Sequence, residues 1–364
     1  MLGTLSAVRL SLAERRAAAA ALRSRRDAIA GVANMALTAR HPAWRQPAAA
    51  NDAPNDTAVA NALDAARHID FLAGALEVGE TKAFVDYVAW LSTMLAAWGV
   101  VRNVAADSLA LIRPGTLMSV EGAARTALDH LLQAGVARAR AAQDPVATSA
   151  PGSDPAFLRA ILAGDRSSAL REARAALRAS TLSTGVYIDL FQKGLTEVGA
   201  RWQDNRITVA QEHLATATAQ FVLAQLQASV DHWSPRRGVA LITGVEGERH
   251  QVGANLVADA LEADGWEVRF LGSDMPHAGI VEAAHALSAD LIGVSATMLY
   301  SVNATARLIE DLRGARRLQT PRILVGGGAF RAAPKLWREV GADDYAADVR
   351  QVGAAARGEK HLYH

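Results

Sequence analysis

From residue 239 onward the hydrophobic period of the chain changes, and this limits its fold more than any other feature. Short apolar runs of strand type cover 239–243, 266–271, 291–296 and 322–325, with a fifth expected near 344–346. Helical patterns fall between them, near 253–264, 278–287, 302–316 and 332–340. Strands and helices alternating at this spacing predict a parallel sheet wound on both faces. Such sheets bind ligands beyond the carboxyl ends of their strands, beside the point where the strand order reverses.

Upstream, two stretches carry turn formers and little apolar periodicity. One, near 41–57, holds Pro42, Pro47, Asn51, Asp52, Pro54 and Asn55; the other, 143–155, holds Pro145, Pro151, Gly152, Ser153 and Asp154. They divide the chain into a leader and linker (1–57), a helical domain (58–142), a linker (143–154), a four-helix cap (155–234) and an α/β domain (235–364). The middle segment has one apolar stripe per helix, carried by Phe84, Tyr87, Val88, Leu91, Leu109, Leu128 and Leu131, so four packed helices are expected. His68 and His130 lie among these residues and are expected to be core or surface histidines. In the cap, Asp154-Pro155 reads as a helix start, and Thr208 with Gln211 reads as a capping box that opens a final long helix. The overall reading is multidomain, α followed by α/β.

The leader places Arg9, Arg15, Arg16, Arg23, Arg25 and Arg26 among alanines and leucines. It lacks the uninterrupted apolar centre of a secretory signal, and a solvated helix or frayed leader is expected there. No apolar run is long enough to cross a bilayer, and a cytoplasmic protein is expected. The formal charge of +1 gives no global field for nucleic acid. The absence of cysteine excludes disulfides, thiolate metal sites and cysteine nucleophiles.

The chemistry is concentrated at the strand ends. The loop after the first strand, 244–253, is long for a simple connection and carries Glu248, His250 and Gly253. An imidazole there can bind a metal through one nitrogen while the other donates to a carboxylate, for which Glu248 is the local candidate. Gly253 lets backbone approach a bulky ligand. Taken alone, a loop histidine is ordinarily a solvated side chain. Two further loops add to it: Ser295 and Thr297 bring small hydroxyls after the third strand, and Gly326, Gly327 and Gly328 leave a groove after the fourth. That glycine run is not the phosphate fingerprint of nicotinamide enzymes, which would open the first helix.

Glu248-x-His250-x-x-Gly253, then Ser295-x-Thr297, then Gly326-Gly327, resembles the pattern of base-off, His-on cobalamin-binding domains. The resemblance covers about residues 237–358 and implies a flavodoxin-like or Rossmann-like doubly wound sheet. By it, His250 ligates cobalt, and the serine and glycine segments line a channel for the nucleotide tail. It departs at Glu248, where that family has Asp. Upstream, Trp202, nine intervening residues, and then Glu212-His213 resembles the signature of cobalamin-dependent light sensors of the CarH class. That likeness implies that Trp202 packs against the upper axial group and that Glu212 bonds the ribose of a 5′-deoxyadenosyl group, with His213 alongside. It departs at Gln203, where that class has a second histidine, so a bis-histidine photoproduct through position 203 is impossible here.

The resemblance implies a light sensor and signalling regulator rather than an enzyme, holding adenosylcobalamin (methylcobalamin and hydroxocobalamin remaining open). With no DNA reader visible upstream, the expected output is a protein partner, a transcription regulator or signalling protein, or self-association into a homo-oligomer. No direct DNA binding and no membrane are expected. The alternative is a corrinoid carrier protein of a methyltransferase system, because such carriers share the cap and the His loop. A mutase would need a substrate barrel of roughly 250 residues, for which no sequence is left.

Overall fold

The computed structural model describes residues 10–41, 63–100, 103–141, 154–180, 183–227, 237–315, 320–333 and 335–359. The chain forms two compact units, one of residues 1–152 with 199–210, the other of 153–198 with 211–364. His232, His361 and His364 lie outside the described residues.

In the first unit, helices Leu12–Ser24, Arg26–Arg40, Ala65–Val78, Thr81–Ala97, Val104–Leu117 and Gly122–Arg140 form a bundle. Helix Ala65–Val78 is buried on nearly every side, including its polar residues His68 and Glu77. Helices Leu12–Ser24 and Arg26–Arg40 both pack on it. The stretch expected to be a solvated or frayed leader thus supplies two helices of the bundle. Ala19 and Leu22 of the first and Ala33 and Leu37 of the second are buried, so small residues let these helices approach closely. Their arginines are paired: Arg23 grips buried Glu77 with two bonds of 3.0 and 2.7 Å, and Arg26 Nε donates to Asp70 at 2.9 Å. His68 is fully buried, and its Nδ1 lies 2.6 Å from the Tyr87 hydroxyl. Burial pushes its pKa down to about 4, so it is a neutral core histidine.

The second unit opens with the cap helices Ala156–Leu162 and Arg166–Ala179. Pro155, extended at ψ 140, takes the N-cap position, so the helix starts one residue later than the Asp154-Pro155 reading placed it. A third rod runs from Ser183–Val186 through a π-helical turn, Tyr187–Gln192, into Lys193–Gln203; the fourth is Val209–Gln227. Phe157, Phe191, Val222 and Leu223 are buried in this cap, and the Phe157 and Phe191 rings meet edge-on at 5.2 Å.

The α/β domain holds five parallel strands: β1 (Val239–Gly244), β2 (Glu267–Phe270), β3 (Leu291–Ser295), β4 (Arg322–Gly326) and β5 (Asp344–Ala346), in the order β2-β1-β3-β4-β5. This is the flavodoxin-like order, and the switch point lies between β1 and β3. The doubly wound sheet and its strand positions agree with the hydrophobic pattern. One long helix expected at 332–340 is instead two short pieces, Gly328–Ala332 and Leu336–Glu339. Gly244, Ser295 and Gly326 pair across β1, β3 and β4, so one row closes the carboxyl edge of the sheet.

Candidate functional site

At the switch point between β1 and β3, Glu248, His250 and Thr297 meet. Glu248 is fully buried, and both its oxygens are used. One accepts from His250 Nδ1 at 2.7 Å and from the His250 backbone N–H at 2.9 Å. The other accepts from the Thr297 backbone N–H at 2.5 Å and, at 3.5 Å, from the Ser301 hydroxyl. The longer carboxylate therefore reaches the imidazole, and it also ties the β1 loop to the β3 loop. Burial raises the pKa of Glu248, but the hydrogen bonds from the His250 ring, the Thr297 backbone and the His250 backbone outweigh it and hold the carboxyl below its usual value. The bond to Glu248 raises His250 against the opposing effect of burial, with the charges of Glu248 and Glu212 adding to it.

This geometry fixes the tautomer. With Nδ1–H donated to a carboxylate, the neutral ring presents the Nε2 lone pair outward. The His250 side chain is 56% exposed, and Nε2 has no hydrogen bond among the described residues. A Cβ at Gly253 or at Gly247 would meet nothing within 4 Å, so the chain on either side of His250 leaves open space at both glycines. An imidazole bare at one nitrogen and held at the other by a carboxylate fits a ligand that a corrinoid's metal would take.

The remaining predicted residues divide. Thr297 contributes its backbone N–H, and Ser295 sits half-buried in the row at the sheet edge. At Gly327, with φ +101°, a Cβ would collide with the Ala296 carbonyl, and at Gly328 it would stand 2.7 Å from the Thr297 carbonyl oxygen. Those two glycines allow the β4 loop to lie against the β3 loop, where Ala329 N–H donates to Ala296 at 3.2 Å. In the cap, His213 is largely exposed, and its Nδ1 lies 2.5 Å from Glu212, which also accepts from the Thr216 hydroxyl at 2.9 Å. Trp202 falls in the first unit: its ring meets Trp98 edge-on at 5.3 Å.

Sequence reasoning missed Asp274 and Ser301. Asp274, in the β2 loop, accepts from Gly247 N–H at 2.7 Å and braces the turn that precedes the histidine. Ser301 opens helix Ser301–Gly314 beneath Glu248. A polar residue after a strand signals neither partner. His277, which opens helix His277–Ala286, lies 3.9 Å from Asp311, and its Nε2 is buried without a partner among the described residues. Among the described residues there is no group of three or more His, Cys, Asp or Glu fit to hold a metal by themselves, and no helix long and apolar enough to cross a membrane.

Comparison with known proteins agrees with this geometry. Two models, each described as a B12 binding domain, match residues 238–352 and 156–227. The chain is 28% identical over 169 residues to dimethylamine corrinoid protein 2 of Methanosarcina acetivorans, a stretch covering 45% of this chain and 76% of that one. It is also 28% identical over 159 residues to a corrinoid protein of Desulfitobacterium hafniense, covering 42% and 72%. The solved monomethylamine corrinoid protein of Methanosarcina barkeri superposes with a TM-score of 0.47 at 22% identity, over 56% of this chain and 96% of that one.

These relatives overturn the light-sensing function read from Trp202, Glu212 and His213, because they are named as dimethylamine corrinoid proteins and as a corrinoid protein, not as light sensors. The physical reason is that a helical cap followed by a His loop is shared by both classes, so the cap motif could not separate them. The relatives carry the names of corrinoid proteins. From the bare imidazole at the switch point and the two matching domains, the C-terminal half of the chain binds a corrinoid, cobalamin in type.

Proposed function

We propose that the chain is a corrinoid carrier protein of a methyltransferase system, with His250 as the protein ligand to cobalt. The observation that carries the reading is the Glu248-held imidazole with a bare Nε2, in a chain whose curated relatives are corrinoid proteins. When bound, the corrinoid supplies a metal that accepts and releases a methyl group. The chain's own part is to bind and orient. Glu248 keeps the proton on Nδ1, so Nε2 stays a lone-pair donor, and the Thr297 N–H keeps Glu248 in place. Gly253, Ser295, Gly326, Gly327 and Gly328 are proposed to border the corrinoid at the sheet edge, and Glu212 and His213 to do so from helix Val209–Gln227. The partner is proposed to be a methyltransferase, a protein distinct from this chain that moves a methyl group between a donor substrate and the corrinoid.

The test is to reconstitute the full chain with hydroxocobalamin, reduce it to cobalt(II), and record its electron paramagnetic resonance. A nitrogen triplet that becomes a doublet in protein labelled with 15N-histidine, and that vanishes in His250→Ala, is expected. A signal unaffected by the label removes His250 as the ligand. Methylcobalamin-loaded chain should then pass its methyl group to a thiol, one per bound corrinoid, once a methyltransferase is added. Transfer no faster than from free methylcobalamin would reject the carrier role.

A further inference from the structure

Helix Arg26–Arg40 of the N-terminal bundle is apolar on both of its faces. From 28 to 39 its only polar residues are Asn34 and Thr38, and the bundle itself uses both. Asn34 Nδ2 donates to Asp64 at 3.0 Å, and its Oδ1 accepts from the Ala65 N–H at 3.0 Å. The Thr38 hydroxyl donates to the Asn34 carbonyl at 2.8 Å. Ile29, Ala33 and Leu37 are buried within the bundle. The opposite face carries Ala28, Gly31, Val32, Met35 and Ala39, all exposed, with Val32 at 65% and Met35 at 70%. A helix apolar all round is a buried helix. Here the described residues cover one side of it.

Two features point to what covers the other side. Glycine inside a helix lowers its stability, yet a Cβ at Gly31 would meet nothing within 4 Å. Nothing in this chain therefore calls for glycine there, whereas a backbone approaching from outside does. The second feature is a near-twofold order in the outward residues. Asp27, Ala28, Gly31 and Val32 are mirrored about the midpoint of 33 and 34 by Arg40, Ala39, Ala36 and Met35. Against a second copy running antiparallel, Val32 of one faces Met35 of the other, and Ala28 faces Ala39. Asp27 and Arg40, both exposed, then share each end with opposite charges. In a parallel pair, each end would instead bring like charges together. A twofold contact needs this self-complementarity, in which residue i meets j while j meets i.

We infer that the outward face of helix Arg26–Arg40 is the docking surface for a second copy of this chain, the two helices packing antiparallel as a twofold dimer. Nothing in this contact depends on the corrinoid or on the carrier reading. The face is about 20 Å long and 10 Å wide, well short of the roughly 800 Å² per partner of stable complexes. The dimer is therefore one that forms and dissociates with concentration.

Sedimentation velocity on the full, cofactor-free chain tests the contact, at loadings from about 1 µM to about 1 mM. A monomer giving way to a dimer is expected. A monomer throughout overturns the inference, and some other part of the chain then covers the face. Met35→Glu changes an exposed side chain and should weaken the dimer at least tenfold. Gly31→Leu should weaken it as well, by holding the two backbones apart, while the melting temperature of the dilute monomer does not fall. A dimer indifferent to both variants lies elsewhere on the chain and also overturns the inference. The chain has no cysteine, so the direction of packing can be read by oxidation with diamide. Ala28→Cys mixed with Ala39→Cys should give a disulfide-linked dimer. Ala28→Cys alone should not, because in the antiparallel pair its two copies stand about 16 Å apart along the axis, beyond the roughly 7 Å that a disulfide spans between Cα atoms. Linkage of Ala28→Cys to itself in preference to the mixture would overturn the antiparallel order.

Discussion

Glu248 is a single carboxylate with no exposed surface and four donors. Replacing it with Gln keeps the size but removes the charge that orders the His250 ring. Partners that orient a metal ligand are typically worth 10–100-fold in affinity, so Glu248→Gln should weaken corrinoid binding by about that factor. Spectroscopic titration measures it, and unchanged affinity would deny the relay. The sign of the pH effect follows from the two shifts. The raised histidine contributes stability below its ordinary 6.5 and loses it as pH rises through the folded value. The lowered glutamate contributes above its ordinary 4.5 and loses it as pH falls. In cofactor-free protein the variant should therefore lose most stability between those two values, by denaturant titration. At this scale the sequence was informative, because Glu248 and His250 are two residues apart and their contact is local. The bond from Thr297 N–H, 49 residues away, needed the fold.

Helix Val252–Ala263 follows the histidine loop and carries an unusual burden. Asp259 is 1% exposed, and neither carboxylate oxygen has a hydrogen-bond partner among the described residues. Burial, with the charge of Glu262 adding to it, pushes its pKa up to about 7. The folded chain thus holds a proton that the unfolded chain releases near 3.8, and stability falls as pH rises from there to about 7, then levels. Asp259→Asn should stabilise the chain most above pH 7, with the gain fading toward pH 4. Urea unfolding at pH 5 and pH 8 measures it, and an equal gain at both would sink the idea. The elements themselves were legible because strands and helices of the α/β domain differ in period. Helices Leu12–Ser24 and Arg26–Arg40 were not, since their buried faces are mostly alanine and their arginines imitate a solvated surface. The pairing of those arginines with Glu77 and Asp70 spans 54 and 44 residues and leaves no local trace.

For the whole molecule, the class of ligand could be read and the class of task could not. Strand-end loops announce a corrinoid because the ligand imposes its residues on them. The task depends on which protein meets the chain, and the cap residues that suggested light are compatible with a carrier. The π-helical turn Tyr187–Gln192 bears on this question too. A π turn closes each hydrogen bond over one more residue than an α turn, so it absorbs a single added position in an otherwise continuous rod. Everything after it is set out of phase by one residue, about 100° of rotation. Deleting exposed Asp189 would bring the rod back into phase and swing the Trp202 ring away from Trp98 about the axis. The coupled near-ultraviolet dichroism of the two indoles should then disappear while helix content holds, and its persistence would refute the account. The direction in which an indole faces is thereby written a turn or more upstream, as an angular offset in the shaft that bears it.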